Sequence, residues 1–245
     1  MKKHIPNIIT LLNLFCGSIA VVFAVENNLF MAAVFVVLGI VFDFFDGFAA
    51  RLLNVKSELG LQLDSLADMI TSGMVPGIVM FKLIEQTTNP FPVSLDVTSE
   101  WQNAAQYSFL PLIGLLVTLA SCYRLAKFNI DTRQTESFIG LPTPANTLLI
   151  LSLPLILITN DIQWINDLIL NKWFLIAVTL LSCYLLNAEL PLFSLKMKTY
   201  GFKENAVKYV FLIASILLLF ILHYIAFPLI ILLYILLSVL STLRK

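Results

Sequence analysis

Residues 41–68 read VFDFFDGFAARLLNVKSELGLQLDSLAD and hold four aspartates in or beside apolar segments. These are Asp43, Asp46, Asp64 and Asp68. A charged side chain at the centre of a bilayer costs about 3 kcal/mol or more, so acidic residues in membrane helices usually serve a site. If the flanking segments cross a membrane, this stretch predicts a functional site.

The composition of the whole chain favours a membrane protein. Of its 245 residues, 59% are hydrophobic and only 12% are charged, whereas soluble domains have about 25% charged residues. The mean hydropathy of +0.92 agrees with this interpretation. The formal net charge is zero, so no extended basic surface is available and nucleic acid is not an expected partner.

We predict an all-α, polytopic membrane helix bundle that forms a single domain over residues 1–245. A membrane helix needs about 20 predominantly apolar residues. Eight segments are candidates for such helices: 8–25, 29–52, 62–83, 108–127, 144–159, 173–190, 207–223 and 226–242. The fifth segment is short and contains Pro154, and only a tight turn at His223 separates the last two.

Basic residues are distributed unevenly between the two ends of these segments. With eight spans, both termini share one side with the loops 53–61, 128–143 and 191–206. That side holds thirteen of the 15 lysines and arginines, and the other side holds only Lys82 and Lys172. Because cytoplasmic loops carry an excess of Lys and Arg, the sequence predicts that both termini are cytoplasmic.

Helical spacing places the first two aspartates on one face of their helix. Asp43, Asp46, Gly47 and Ala50 lie at positions i, i+3, i+4 and i+7, and Arg51 flanks this face. The small residues leave room beside the carboxylates for a nucleotide. Arg51, at the cytoplasmic edge, is a candidate partner for phosphate.

The second pair of aspartates lies on the helix that follows. Gly60, Asp64 and Asp68 are at positions i, i+4 and i+8, again on one face. A short loop joins the two helices, so they run antiparallel as neighbours. Asp43 and Asp68 are each eight residues from the cytoplasmic end of their helix, which is ~12 Å at 1.5 Å per residue. The four carboxylates are therefore expected to converge on one small volume.

Four ionised carboxylates in one volume need compensation, either by protonation or by cations. Two divalent ions would cancel their charge, and oxygen ligands without nearby Cys or His favour hard ions such as Mg²⁺, Mn²⁺ or Ca²⁺. Paired divalent ions suit phosphoryl transfer. The spacing alone also allows a cation or proton pathway in a transporter, or aspartates that satisfy one another and the backbone.

The pattern D-x2-D-G-x2-A-R-x8-G-x3-D-x3-D over residues 43–68 resembles the signature of the CDP-alcohol phosphatidyltransferase family at every fixed position. The resemblance implies a membrane core of six helices, elaborated here by two more, and a homodimer. It implies that the four aspartates bind two divalent cations, Mg²⁺ or Mn²⁺, and that Asp68 is also the general base. It further implies binding of CDP-diacylglycerol by Gly47, Ala50, Arg51 and Gly60.

The segment IPNIITLLNLFCG, residues 5–17, is similar to the opening of the branch of this family that makes phosphatidylserine. Its polar residues are Asn7, Thr10 and Asn13. The resemblance implies that they contact the cytidine side of CDP-diacylglycerol. Helix capping and hydrogen bonds between helices remain the alternative role for these side chains.

Two later segments, RLAKFN at 124–129 and FIGLPTPA at 138–145, are similar to the same branch. Lys127 stands where arginine is usual, and lysine lacks the bidentate fork of arginine. The resemblance implies that the acceptor alcohol is bound near Arg124, Lys127, Asn129 and Pro142.

The resemblance thus implies transfer of a phosphatidyl group from CDP-diacylglycerol to L-serine, giving phosphatidylserine and CMP through metal-assisted attack of the serine hydroxyl. Glycerol 3-phosphate and myo-inositol remain alternative acceptors in the same chemistry. The expected location is a bacterial inner membrane or an archaeal cell membrane, with the active site on the cytoplasmic side.

Overall fold

The structure is a computed structural model that describes residues 4–55, 57–88, 108–131, 137–193 and 201–243. The predicted loops 84–107, 128–143 and 191–206 fall partly outside these residues, as do the basic residues at both ends of the chain.

The described residues are mostly helical, as predicted. The α-helices are α1 (Ile5–Val25), α2 (Leu29–Leu52), α3 (Glu58–Asp68), α4 (Val75–Thr88), α5 (Leu116–Ile130), α6 (Thr143–Thr159), α7 (Gln163–Ile169), α8 (Lys172–Asn187), α9 (Phe202–Leu222) and α10 (Ala226–Leu243). A π-helical segment, Met69–Met74, joins α3 to α4 without a break, and a 3₁₀ turn, Leu110–Leu115, leads into α5.

Each of the eight predicted segments corresponds to one helical stretch. Among the described residues, five stretches are long and apolar enough to cross a membrane: 5–25, 29–52, 58–88, 110–130 and 205–241. A sixth is possible if α7 and α8, bent by 63°, form one span, whereas α6 is a shorter apolar helix. The all-α polytopic fold is thus confirmed, and eight complete crossings remain a prediction.

The stretch 205–241 is a helical hairpin. His223 adopts φ +49° in the 3₁₀ turn between α9 and α10. The rings of Phe211 and Tyr234 lie 5.6 Å apart, whereas 23 residues of straight helix would separate them by ~35 Å. The two helices are therefore antiparallel neighbours, as the predicted tight turn requires.

Large apolar side chains lie exposed on the outside of the bundle. Phe44 is 63% exposed and Phe220 is 85% exposed, and both belong to long apolar helices. Soluble proteins rarely expose extended apolar surface of this kind. The chain is therefore an integral membrane protein.

A short two-stranded ribbon, which the sequence pattern does not predict, ties two loops together. Strand β1 (Ser137–Ile139) pairs antiparallel with β2 (Pro191–Phe193). The ribbon places the loop before α6 and the loop after α8 at the same end of the bundle, as the predicted topology requires.

Gly140 fixes the loop between β1 and α6 against the end of α8. Its φ is +75°, and a Cβ there would lie 2.7 Å from the carbonyl oxygen of Leu186. The backbone N–H of Leu141 donates to the carbonyl of Leu185 at 2.8 Å. A side chain at position 140 would therefore be both strained and obstructed.

Candidate active site

Three of the four aspartates form a compact acidic cluster between α2 and α3. Asp43, Asp46 and Asp64 each offer a carboxylate oxygen, and these oxygens all lie within 4.8 Å of one another. Asp46 is 6% exposed and accepts a hydrogen bond of 2.6 Å from the hydroxyl of Thr10 on α1. The convergence expected from helical spacing is therefore present for these three residues.

Asp68 lies beside this cluster at the end of α3. Its Oδ1 accepts a hydrogen bond of 3.3 Å from Nδ2 of Asn13. Its charge interacts with those of Asp64, Asp46 and Arg124. The fourth carboxylate thus lies close to the other acids, although it is not one of the three whose oxygens lie within 4.8 Å of one another.

The cluster has the chemistry of a site for hard divalent cations. Its donor atoms are carboxylate oxygens, which Mg²⁺ and Mn²⁺ prefer to nitrogen and sulfur ligands. Oxygens within 4.8 Å of one another can share an ion whose metal–oxygen distances are about 2.1 Å. The residues present therefore fit a divalent metal.

An open cavity of ≈ 550 Å³ extends from the cluster toward the α2–α3 loop. Its walls include residues predicted to bind CDP-diacylglycerol together with two of the acids: Asn7, Thr10, Asp46, Gly47, Ala50, Gly60 and Asp64. A Cβ built on Gly47 would meet nothing within 4 Å, so the bare backbone there faces open space. A Cβ on Gly60 would lie 3.3 Å from Oδ1 of Asn7.

Arg51 and Asn13 do not line this cavity. Arg51 is exposed at the end of α2, where its Nε donates to the carbonyl of Gly47 at 2.9 Å. Asn13 is fully buried and contacts Asp68 and Thr71. The contacts of Arg51 and Asn13 with CDP-diacylglycerol therefore remain predictions.

Arg124, on α5, is the one predicted acceptor residue that is buried near the acids. It is 7% exposed, its charge interacts with that of Asp68, and its Nε has no hydrogen-bond partner among the described residues. A buried guanidinium normally finds an acceptor. Arg124 can therefore supply a donor to an anionic group placed beside Asp68.

The other predicted acceptor residues have partners within the protein. Nζ of Lys127 lies 3.6 Å from a carboxylate oxygen of Glu189. Asn129 exchanges hydrogen bonds with the hydroxyl of Ser65, which follows Asp64 in the sequence. Pro142 is the N-cap of α6. These contacts give Asn129 and Pro142 structural roles, and an acceptor-binding role for all three remains a prediction.

Tyr234 and Thr71 are two residues near the site that are not among the predicted site residues. The hydroxyl of Tyr234 donates to the carbonyl of Phe193 at 2.9 Å, and Tyr234 interacts electrostatically with Arg124. Thr71 is fully buried and donates to Oδ1 of Asn13 at 2.8 Å. Thr71 could have been predicted, because it is a polar residue about one helical turn after Asp68. Tyr234 could not, because it is far from the aspartates in sequence.

Comparison with known proteins shows that most of the chain matches one protein family. Residues 3–184 match a family model described as CDP-alcohol phosphatidyltransferase, so the C-terminal hairpin that carries Tyr234 lies outside the matched region.

Three similar proteins have names that refer to serine or to archaetidylserine. A Bacillus subtilis CDP-diacylglycerol–serine O-phosphatidyltransferase is 35% identical over 146 residues, 58% of this chain and 70% of that protein. A Saccharomyces cerevisiae protein of the same name is 34% identical over 166 residues, 61% of this chain and 53% of the relative. An archaetidylserine synthase from Methanothermobacter thermautotrophicus is 27% identical over 143 residues, 57% of this chain and 53% of the relative.

The chain therefore matches more than two thirds of the Bacillus relative and about half of the other two. The family model covers well over half of the chain, including all four aspartates. Together with the acidic cluster between two antiparallel membrane helices, this shows that the chain belongs to the CDP-alcohol phosphatidyltransferase family.

Proposed function

We propose that this protein transfers the phosphatidyl group of CDP-diacylglycerol to L-serine, giving phosphatidylserine and CMP. The observation that carries the proposal is the acidic cluster of Asp43, Asp46 and Asp64 at the inner end of a cavity. The names of the relatives from three organisms support serine as the acceptor. Membership of this family leaves the transporter hypothesis without support.

The four aspartates are the proposed ligands of two divalent cations, Mg²⁺ or Mn²⁺. Such ions supply positive charge for the diphosphate oxygens of the substrate. The cavity beside Gly47 and Ala50 is the proposed place of the cytidine diphosphate. Arg51, whose Nε donates to the carbonyl of Gly47, is the proposed cationic partner of the phosphates.

In the proposed reaction, the serine hydroxyl oxygen forms a bond to the phosphorus that carries diacylglycerol. Asp68 accepts the hydroxyl proton, and the bond from that phosphorus to the oxygen of CMP breaks, so that CMP leaves with the electron pair. Arg124 holds the serine carboxylate beside Asp68, because a buried guanidinium binds a carboxylate strongly.

The site is proposed to open to the cytoplasm, where serine is available and where CMP is released. The bias of basic residues toward that side supports this orientation. A homodimer in a bacterial inner membrane or an archaeal cell membrane is part of the same proposal, on the strength of the family resemblance.

One assay tests the proposed function. The purified protein in detergent is supplied with Mn²⁺ or Mg²⁺, CDP-diacylglycerol and one acceptor at a time: L-serine, glycerol 3-phosphate or myo-inositol. We expect CMP release and a phosphatidylserine product with L-serine alone. A lipid product formed only with one of the other acceptors would reassign the acceptor, and no product with any acceptor would refute the transferase function.

Replacement of Gly47 by leucine should weaken the binding of CDP-diacylglycerol without unfolding the protein. Since a Cβ there meets nothing within 4 Å, the new side chain occupies the cavity. The leucine and the substrate then compete for the same space. A mismatch of one methylene in a pocket is worth about 1–3 kcal/mol, so we expect the KM for CDP-diacylglycerol to rise about 10-fold. Steady-state CMP release measures the change.

Gly114→Ala is the contrasting variant for this prediction. A Cβ at Gly114 would lie 2.4 Å from the backbone nitrogen of Phe81, so we expect a lower melting temperature instead of a changed KM. An unchanged KM in a well-folded Gly47→Leu variant would contradict the assignment of the cavity to CDP-diacylglycerol.

Replacement of Arg124 by glutamine should raise the KM for serine. Loss of a charge-assisted hydrogen bond costs about 1.5–3 kcal/mol, so we expect an increase of about 10- to 100-fold. The KM for CDP-diacylglycerol should change less. Lys172→Gln is the control, because it removes a cationic side chain at the start of α8 that is not among the predicted site residues. If Arg124→Gln changed both KM values equally, the proposed contact of Arg124 with serine would be contradicted.

A further inference from the structure

The side chains of Asn13 and Thr71 form a fully buried polar pair next to Asp68. The hydroxyl of Thr71 donates to Oδ1 of Asn13 at 2.8 Å, and Nδ2 of Asn13 donates to Oδ1 of Asp68 at 3.3 Å. Both Asn13 and Thr71 are 0% exposed. A continuous chain of hydrogen bonds thus runs from Thr71 through Asn13 to the carboxylate of Asp68.

The direction of this chain is fixed by chemistry. A carboxylate accepts hydrogen bonds and does not donate them, so the amide NH₂ of Asn13 must face Asp68. The amide oxygen then faces Thr71, whose hydroxyl is able to donate to it. The reverse amide orientation would place an oxygen against the carboxylate and remove the donor from Asp68.

The backbone is shaped to hold this pair. Thr71 lies in the π-helical segment Met69–Met74 that directly follows Asp68, and π segments within helices are frequent at functional sites. Asp68 and Thr71 are three positions apart in the chain, on opposite sides of the point where α-helix becomes π-helix. Asn13, from α1, bridges them.

Two glycines provide the space that the pair needs. A Cβ on Gly17 of α1 would lie 2.3 Å from Oγ1 of Thr71. A Cβ on Gly39 of α2 would lie 2.7 Å from Cγ2 of Thr71 and 2.8 Å from Oδ1 of Asn13. Small residues in membrane helices allow this close approach. Three consecutive spans therefore close around the Asn13–Thr71 pair.

We propose that Asn13 and Thr71 are positioning residues that orient the carboxylate of Asp68, with Oδ1 held by Asn13 and Oδ2 left to accept the proton of the acceptor hydroxyl. In this orientation Asp68 would also help to hold a divalent cation. This inference rests on the function proposed above for Asp68. It replaces the predicted contact of Asn13 with CDP-diacylglycerol by an action through Asp68. Hydrogen bonds to the outer side of a ligating side chain commonly change metal affinity or activity about 10- to 100-fold.

The test replaces Thr71 by valine, which keeps the branched shape and removes the hydroxyl donor. We expect kcat to fall about 10-fold or more, with the KM for CDP-diacylglycerol within about twofold, since neither residue of the pair lines the cavity. Thr71→Ser restores the donor and should recover most of the lost kcat. Thr118→Val is the matched control, since it removes a hydroxyl that donates to the carbonyl of Gly73 in the same π segment at 3.1 Å.

A second measurement does not depend on catalysis. Mn²⁺ binding to the purified, metal-free protein, followed by electron paramagnetic resonance of the free ion, should weaken about 10-fold in Thr71→Val and recover in Thr71→Ser. Asn13→Ala, on a different helix, should give the same pattern if Thr71→Val fails to fold. A rise in the KM for CDP-diacylglycerol with unchanged kcat, or Mn²⁺ binding equal to that of the wild type, would overturn the proposal.

The two proposals fail in different ways. If the wild-type protein forms no lipid product with any acceptor, the proposed function is wrong, and the Mn²⁺ measurement still decides whether the pair orients Asp68. If the wild type is active and Thr71→Val matches it in kcat and in Mn²⁺ binding, only the positioning role is wrong.

Discussion

At saturating Mn²⁺, replacement of Asp68 by asparagine is expected to abolish most turnover while leaving CDP-diacylglycerol binding almost unchanged. A positioned general base contributes about 100- to 10,000-fold to a rate, and asparagine cannot accept the hydroxyl proton. Asparagine matches aspartate in size, and Asp68 does not line the cavity assigned to the nucleotide. We therefore expect kcat to fall by at least about 100-fold, with a KM for CDP-diacylglycerol close to that of the wild type.

Steady-state CMP release measures kcat and KM, and equilibrium binding of CDP-diacylglycerol to the purified protein tests the second part of this prediction. The control is Asp161→Asn, which changes an exposed aspartate in the connection between α6 and α7. Near-normal CMP release by the Asp68→Asn variant would contradict the assignment of the base. Loss of CDP-diacylglycerol binding would instead indicate that Asp68 acts mainly by holding the substrate through the metal.

The convergence of the acidic cluster could be predicted because it follows from the geometry of two helices. A spacing of three or four residues fixes the face of a helix, and a short loop between two membrane helices makes them antiparallel neighbours. These two conditions suffice to bring Asp43 and Asp46 toward Asp64. Asp68 follows the same helical spacing as the last residue of α3, but its hydrogen bond with Asn13 of α1 could not be predicted from that spacing.

Contacts between residues far apart in sequence could not be predicted from pattern alone. The single sequence gives no signal that Lys127 pairs with Glu189, or that β1 pairs with β2 across α6 to α8. The resemblance of residues 5–17 to their counterparts in the family implies that Asn13 contacts CDP-diacylglycerol, and this remains a prediction. The sequence gives no signal that its side chain hydrogen-bonds to Asp68 and Thr71.

The helix boundaries differ from prediction where local chemistry extends a helix beyond its apolar part. The third span was predicted to begin at residue 62, whereas α3 begins at Glu58. The helix begins earlier because the hydroxyl of Ser57 caps it, accepting a hydrogen bond of 3.0 Å from the N–H of Gly60. Pro6, near the start of α1, similarly favours an earlier beginning than residue 8. Hydropathy predicts only the apolar part of a helix, whereas the capping residue determines where the helix begins. Boundaries predicted from hydropathy are therefore too short at these ends.

Replacement of Asp64 by asparagine should remove both metal binding and activity. Asp64 belongs to the cluster whose oxygens lie within 4.8 Å of one another and also lines the cavity. Bound metal ions stabilise transition-state charge by several kcal/mol, and a loss of about 4 kcal/mol corresponds to about a 1,000-fold lower rate. We expect a decrease of this size in CMP release, and a similar loss when wild-type protein is treated with a chelator, reversed by adding Mn²⁺.

The melting temperature with and without Mn²⁺ distinguishes a metal site from a group of aspartates that only hydrogen-bond to one another and to the backbone. A ligand that binds only the folded state stabilises it by about 2.7 kcal/mol at 100 times its dissociation constant. The melting temperature of the chelated wild-type protein should therefore rise when Mn²⁺ is added, and that of Asp64→Asn should change little. Without metal, the variant should be at least as stable as the wild type, because one of several mutually repelling carboxylates has been removed. If Asp64→Asn instead destabilised the chelated protein and left its response to Mn²⁺ intact, these aspartates would be a structural network and not the metal centre of the enzyme.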